Sequence, residues 1–204
     1  MQLIARIFPL VLTIGLIGGI ASGKSLVGRL LAAKGACVVD ADLVAHQAYE
    51  PGSEGWRALV AAFGDGIVAP DGSIDRPALG RIVFADPQRR AQLTGIIWPL
   101  TRRLIEQQKQ AQAAAGTAVF VVEAPLLIEA GWQDLVDQIW LVRSPDAAVR
   151  ARLRERGLSD AEAGRRLAAA TDASAAAAQA YVIIENDGDL ADLEAKVDAA
   201  WSRL

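Results

Sequence analysis

Cysteine, histidine and net charge are all scarce in this chain, and each scarcity excludes something. Cys37 is the only cysteine, so no intrachain disulfide is possible and nothing demands an oxidising compartment; a reducing, cytoplasmic location is expected. Charged residues make up 22% of the chain and the net charge is only -3, which gives no global attraction to nucleic acid or to an acidic membrane. Neither is expected as a partner, and any anion site has to be local. Long apolar runs are also missing: nothing approaches the roughly 20 residues that a membrane span needs. Ile7 to Ile20, behind Arg6 and ahead of the small Ala21 and Ser22, imitates a signal-peptide core. A cut there would sever Gly18–Ser25, whose pattern has a better physical explanation.

What is present is a globular composition, with 52% hydrophobic residues in 204, enough to bury the core of one domain carrying an inserted region. Leu10 to Ile17 is a short run of branched residues that stops at Gly18-Gly19, as a buried parallel strand does. Leu26, Val27, Leu30 and Leu31 then recur at helical spacing over Ser25 to Lys34, and Gly35 is placed to end that helix in the left-handed region. Further strands are expected over Ala36–Asp40, Ala118–Val122, Gln138–Val142 and Tyr181–Glu185. Leu43 to Gly116 reads as helices broken at Asp71-Gly72 and Asp86-Pro87. Pro145 opens an arginine-bearing helix to about Arg156, Ser159 with Glu162 forms a capping box for another, and Leu190–Trp201 closes the chain as an amphipathic helix. Strands alternating with helices predict an α/β fold with a five-stranded parallel sheet covered on both faces, its ligands at the strands' carboxyl ends.

Gly18-Gly19-Ile20-Ala21-Ser22-Gly23-Lys24-Ser25 fits G-x-x-x-x-G-K-S without a mismatch, between a predicted strand and a predicted helix. Its glycines let successive N–H groups turn inward on a phosphate, Lys24 adds a point charge, and Ser25 offers a hydroxyl to Mg²⁺. This predicts a P-loop NTPase fold binding ATP. A GTPase would show Asp-x-x-Gly after a buried strand, whereas the third strand here ends in Glu123-Ala124-Pro125-Leu126. Asp40 and Asp42 follow the second strand; in an extended segment both carboxylates share a face, one to accept a hydroxyl proton and one to order water or metal. The alternative makes Asp42 a helix N-cap and Asp40 a loop residue. Arg150, Arg152, Arg154, Arg156, Arg165 and Arg166 crowd one stretch. Arg152 and Arg156 share one helical face, Arg150 and Arg154 another, and Arg156 beside Gly157 is the first candidate for transition-state charge. Of the five tryptophans, most are expected to serve packing.

These residues resemble dephospho-coenzyme A kinases over nearly the whole chain from about Leu12. The resemblance rests on Gly15 to Ser25, Val38 to Ala45, Glu50-Pro51-Gly52, Asp71 to Arg76, Ile82 to Pro87, Pro125 to Glu129, and Asn186-Asp187-Gly188. It implies a three-layer fold like that of nucleoside monophosphate kinases, within a single domain. A helical substrate-binding region would lie near 43–116 and an arginine-bearing lid near 145–178. It also implies transfer of the γ-phosphate of ATP, with Mg²⁺, to the ribose 3′-hydroxyl of dephospho-coenzyme A, by a monomer or small homo-oligomer. By the same analogy Gly18 to Leu26 (Gly18, Gly19, Ile20, Ala21, Ser22, Gly23, Lys24, Ser25 and Leu26) and Arg156 bind ATP, and Asp42, Lys24 and Arg156 are catalytic. Asp40, His46, Asp75, Arg76, Trp98, Arg102 and Leu126 face the acceptor. The chain departs from the family pattern where threonines are usual (Ile17, Leu26), where arginine is usual (His46), where histidine is usual (Trp98), at Glu123-Ala124 and at Ala170. Beside the leading reading stand another small-molecule P-loop kinase and a catalytically weakened nucleotide-binding paralogue.

Overall fold

The computed structural model of the chain describes residues 11–168 and 173–204. Leu10, expected to start the first strand, and Ala170 lie outside the described residues. The chain divides into two compact units: the described residues up to Val39 together with Lys109–Leu204, and Asp40–Gln108.

Five strands form one sheet: β1 (Leu12–Gly18), β2 (Cys37–Asp40), β3 (Val119–Glu123), β4 (Gln138–Arg143) and β5 (Val182–Glu185), in the order β2-β3-β1-β4-β5. It is a parallel sheet, and β1 sits at its centre, with Leu12 opposite Val119 on one side and Ile14 opposite Gln138 on the other. Each strand starts or stops within two residues of its sequence expectation. In chain order the helices are α1 (Lys24–Ala33), α2 (Ala41–Ala48), α3 (Glu54–Phe63), α4 (Arg76–Ala85), α5 (Pro87–Ala114), α6 (Asp146–Glu155), α7 (Asp160–Ala168), α8 (Ala173–Gln179) and α9 (Leu190–Trp201).

In the first unit, α1 and α9 contribute Val27, Leu31, Leu193 and Val197 to a core shared with Ile14, Leu16, Val121, Trp140, Val142 and Ile184 of the sheet. The opposite face of β1 is approached so tightly that a Cβ on Gly15 would stand 2.5 Å from Leu127 Cδ1. Both faces are therefore buried, which explains why the strands are continuous apolar runs rather than alternating ones. α1 ends as expected: Gly35 takes φ 98°, its N–H donates to the Ala32 carbonyl, and the Ala36 N–H donates to the Leu31 carbonyl.

The second unit packs α3, α4 and part of α5 around Leu59, Ile67, Ile74, Leu79, Val83 and Ile97. Its helices start where short polar side chains meet exposed N–H groups: Ser53 caps α3, Asp75 caps α4, and Asp86 accepts from the Gln88 N–H. Asp71-Gly72, one of the two expected breakers, forms the turn closing a short antiparallel bridge between Val68 and Ile74. α5 then runs for 28 residues straight through Pro99.

Candidate active site

β1 stops at Gly18 and α1 begins at Lys24, so Gly18–Ser25 turns at the carboxyl edge of the sheet. Space dictates two of its glycines. A Cβ on Gly18 would lie 2.7 Å from both Ser22 Oγ and the Val142 carbonyl oxygen; one on Gly23, at φ 97°, would lie 2.1 Å from Asn186 Nδ2. Between them Ala21 has φ 54°, the only non-glycine in the left-handed region among the described residues. The Ser22 hydroxyl is buried and has no hydrogen-bond partner.

Lys24 does not point into solvent. Its Nζ sits 2.6 Å from Glu123 Oε1, with only 12% of the lysine side chain exposed. The Ser25 hydroxyl donates to the same oxygen at 2.5 Å. Glu123, buried at the end of β3, has its other oxygen facing Gly28, where a Cβ would stand 3.0 Å away. One buried carboxylate thus holds both the Lys24 ammonium and the Ser25 hydroxyl.

The arginines separate into different roles. Arg152 Nη1 donates to the Ala21 carbonyl at 3.1 Å, to the Ser22 carbonyl at 3.4 Å and to Ser144 Oγ at 2.9 Å, while its Nη2 reaches the Asn186 carbonyl at 3.4 Å. Arg154 pairs with Asp160 and Arg165 with Glu162. Arg156 is exposed at the C-cap of α6. The expected face shared by Arg152 and Arg156 is therefore split, one arginine against the loop and one in solvent. A cavity of about 480 Å³ opens beside the loop, lined among others by Ile17, Gly18, Gly19, Leu126, Arg143 and Ser144.

In the second unit a cavity of about 330 Å³ gathers Asp42, His46, Tyr49, Arg76, Thr94 and Trp98 over an apolar floor of Ala45, Leu79, Leu93 and Ile97. Burial and the positive charge of Arg76 lower the His46 pKa against the opposing pull of Asp42 and Asp40. Burial likewise raises the Tyr49 hydroxyl, and the two rings meet edge to face at 5.8 Å.

The dephospho-CoA kinase family profile matches residues 12–192. The chain belongs to the dephospho-CoA kinase family. The dephospho-CoA kinase of Geobacter sulfurreducens is 46% identical over 191 residues, covering 93% of this chain and 97% of that one. Among solved structures, a Thermus thermophilus protein superposes with a TM-score of 0.81 at 34% identity, covering 95% of this chain and 98% of that one. The dephospho-CoA kinase of Campylobacter jejuni superposes with a TM-score of 0.70 at 26% identity, covering 94% and 96%.

Set against the family's pattern, the phosphate-loop residues stand together, and Asp42, His46, Arg76 and Trp98 share the cavity of the second unit. Four others do not line it. Asp40 is the N-cap of α2, its Oδ1 accepting the N–H groups of Asp42 at 2.8 Å and Leu43 at 3.3 Å. Asp75 caps α4 through Ala78, and Arg102 is paired with Glu106 at 2.9 Å. Leu126 lines the cavity of the first unit, and Leu26 packs against the core. The extended Asp40–Asp42 segment is corrected: helix α2 starts at Ala41, so the two carboxylates do not share a strand face, and the cap is Asp40 rather than Asp42. Glu123, Arg152, Ser144 and Asn186 were not among the expected site residues. Glu123 carried a signal, since an acid ending the strand beside β1 is where P-loop proteins place a metal-linked carboxylate. Arg152 stood in the arginine-rich stretch and Asn186 in the Asn186-Asp187-Gly188 pattern, but neither pattern shows that a side chain touches the loop's backbone, and Ser144 carried no signal.

Proposed function

We propose that this chain transfers the γ-phosphate of ATP to the ribose 3′-hydroxyl of dephospho-coenzyme A, giving ADP and coenzyme A. The observation that carries the reading is a P-loop built without a mismatch inside a chain that matches the family over residues 12–192. The turned N–H groups of Gly18–Ser25, with Lys24 and the unpartnered Ser22 hydroxyl, hold the phosphates. Asp42 takes the proton of the acceptor hydroxyl as its oxygen attacks the γ-phosphorus and ADP leaves. Arg156, exposed on the arginine-bearing helix, meets the charge that develops on the transferring group. Asp40–Gln108 is the acceptor-binding unit and 145–178 the lid. Trp98 offers a stacking face to adenine, His46 offers a ring N–H to the acceptor's phosphates, Arg76 and Arg102 attract them by charge, and Leu126 packs against the ligand. Asp40 and Asp75 act by fixing the helix starts they cap.

Mg²⁺ fits the donors present, since the Ser25 hydroxyl and the Glu123 carboxylate are hard oxygen ligands 2.5 Å apart at the loop. The Ser25 hydroxyl and the Glu123 carboxylate would hold the ion, which would supply positive charge to offset that of the phosphates. A lone cysteine, and described helices none of which is long and apolar enough to cross a membrane, agree with work in the cytoplasm. A coupled assay of ADP release over dephospho-coenzyme A, adenosine, shikimate and gluconate tests the assignment. Turnover is expected with dephospho-coenzyme A; turnover of another acceptor in preference to it would replace the reading.

A further inference from the structure

We infer that Arg152 is a positioning residue that holds the phosphate loop in its binding shape through the loop's carbonyls rather than by touching phosphate. The inference rests on the ATP-binding reading of Gly18–Ser25.

A phosphate loop works only if its N–H groups face inward, which obliges its carbonyls to face outward. An outward carbonyl in a buried turn needs donors. Here the donors converge on two consecutive carbonyls. Arg152 Nη1 serves Ala21 at 3.1 Å and Ser22 at 3.4 Å, and Asn186 Nδ2 donates to Ser22 at 2.8 Å. Ser144 Oγ lies 2.9 Å from the Ser22 carbonyl and accepts from Arg152 at 2.9 Å. The same arginine reaches the Asn186 carbonyl at 3.4 Å, so one guanidinium ties the loop to the ends of β4 and β5.

The hold falls where the backbone most needs it. Ala21 sits at φ 54°, a conformation that an L-residue with a Cβ disfavours. Its methyl is buried against Val149 and Leu153 of α6 and Ala163 of α7, the helices that flank and carry the arginine. α6 therefore grips Ala21 twice, by its side chain and by its carbonyl. Arg156, at the C-cap of the same helix, is exposed and makes no such contact, so the two arginines have different work.

The left-handed cost sets the scale: freeing Ala21 to leave that region removes roughly 5- to 30-fold from the population of binding-competent loop. Calorimetry of ATP and of ADP binding, without acceptor, should show Arg152→Ala weakening both by the same factor in that range. A loss of uniform binding leaves kcat at saturating ATP within about threefold of the parent. A glycine pays no penalty at this φ, so in an Ala21→Gly background Arg152→Ala should cost less than about threefold. Ser144→Ala, a smaller cut into the same network, should weaken both nucleotides equally and more mildly, which serves if Arg152→Ala does not fold. A far larger loss for ATP than for ADP together with a fall in kcat would make Arg152 a direct γ-phosphate ligand and overturn the inference. Unchanged affinity for both nucleotides, or an undiminished effect in the Ala21→Gly background, would overturn it too. Lys24→Ala run alongside separates the two levels: if that variant binds ATP like the parent, it is the phosphate-loop reading that fails.

Discussion

Lys24 and Glu123 form a buried ion pair at 2.6 Å, so a lysine expected to add a point charge for phosphate is also tied into the fold. Truncating it leaves a carboxylate that is 6% exposed without its cation, a change that costs on the order of 3 kcal/mol. Lys24→Ala should therefore abolish turnover and also lower the denaturation midpoint, and adding Glu123→Gln should recover much of the midpoint and none of the turnover. Chemical denaturation of the single and double variants checks this; an unchanged midpoint for Lys24→Ala would mean that the pair is idle. Asp42 and Asp40 separate in the opposite sense. Because Asp40 caps α2, Asp40→Ala should cost about 1 kcal/mol of stability. Asp42→Asn, in the first turn but not the cap, should leave melting nearly unchanged while kcat falls by about 100- to 10,000-fold. Near-parental turnover of dephospho-coenzyme A by Asp42→Asn would move the search for the base to Asp40 or Glu123.

At the scale of elements, strands and helix stops were legible because they are written in local chemistry. Branched apolar runs ending in Gly18, Asp40, Glu123 and Arg143 gave the strands, Gly35 gave the end of α1, and Ser159 accepts the Glu162 N–H as its capping pattern predicts. Asp40–Asp42 was misread because a strand that turns into a helix without an intervening loop shows no breaker. Which arginine does what was illegible for a different reason. Helical spacing places Arg152 and Arg156 on one face, but α6 ends at Glu155, and Arg156 leaves that face at the C-cap. The difference is measurable in kinetics. Arg156→Ala should lower kcat by more than it raises the acceptor KM, whereas an equal loss from Arg150→Ala would indicate a diffuse basic surface.

Over the whole molecule the two compact units carry two different cavities, one beside the Gly18–Ser25 loop and one framed by Trp98, His46 and Arg76. Hydrogen exchange should resolve them. A non-hydrolysable ATP analogue alone should slow exchange over residues 18–28, and dephospho-coenzyme A alone over residues 42–49 and 94–98. Protection of only residues 18–28 by dephospho-coenzyme A would withdraw the acceptor assignment of the second cavity. The bond from Asn186 to the Ser22 carbonyl has one more consequence, because its partners are 164 residues apart in the chain. At ribosomal speeds of about 5–20 residues per second, the phosphate loop leaves the ribosome roughly 8 to 33 s before its anchor is made. A nascent chain at this stage carries the complete nucleotide motif without the anchor that steadies its loop, so ATP should stabilise the early chain less than the protein whose last strand is in place.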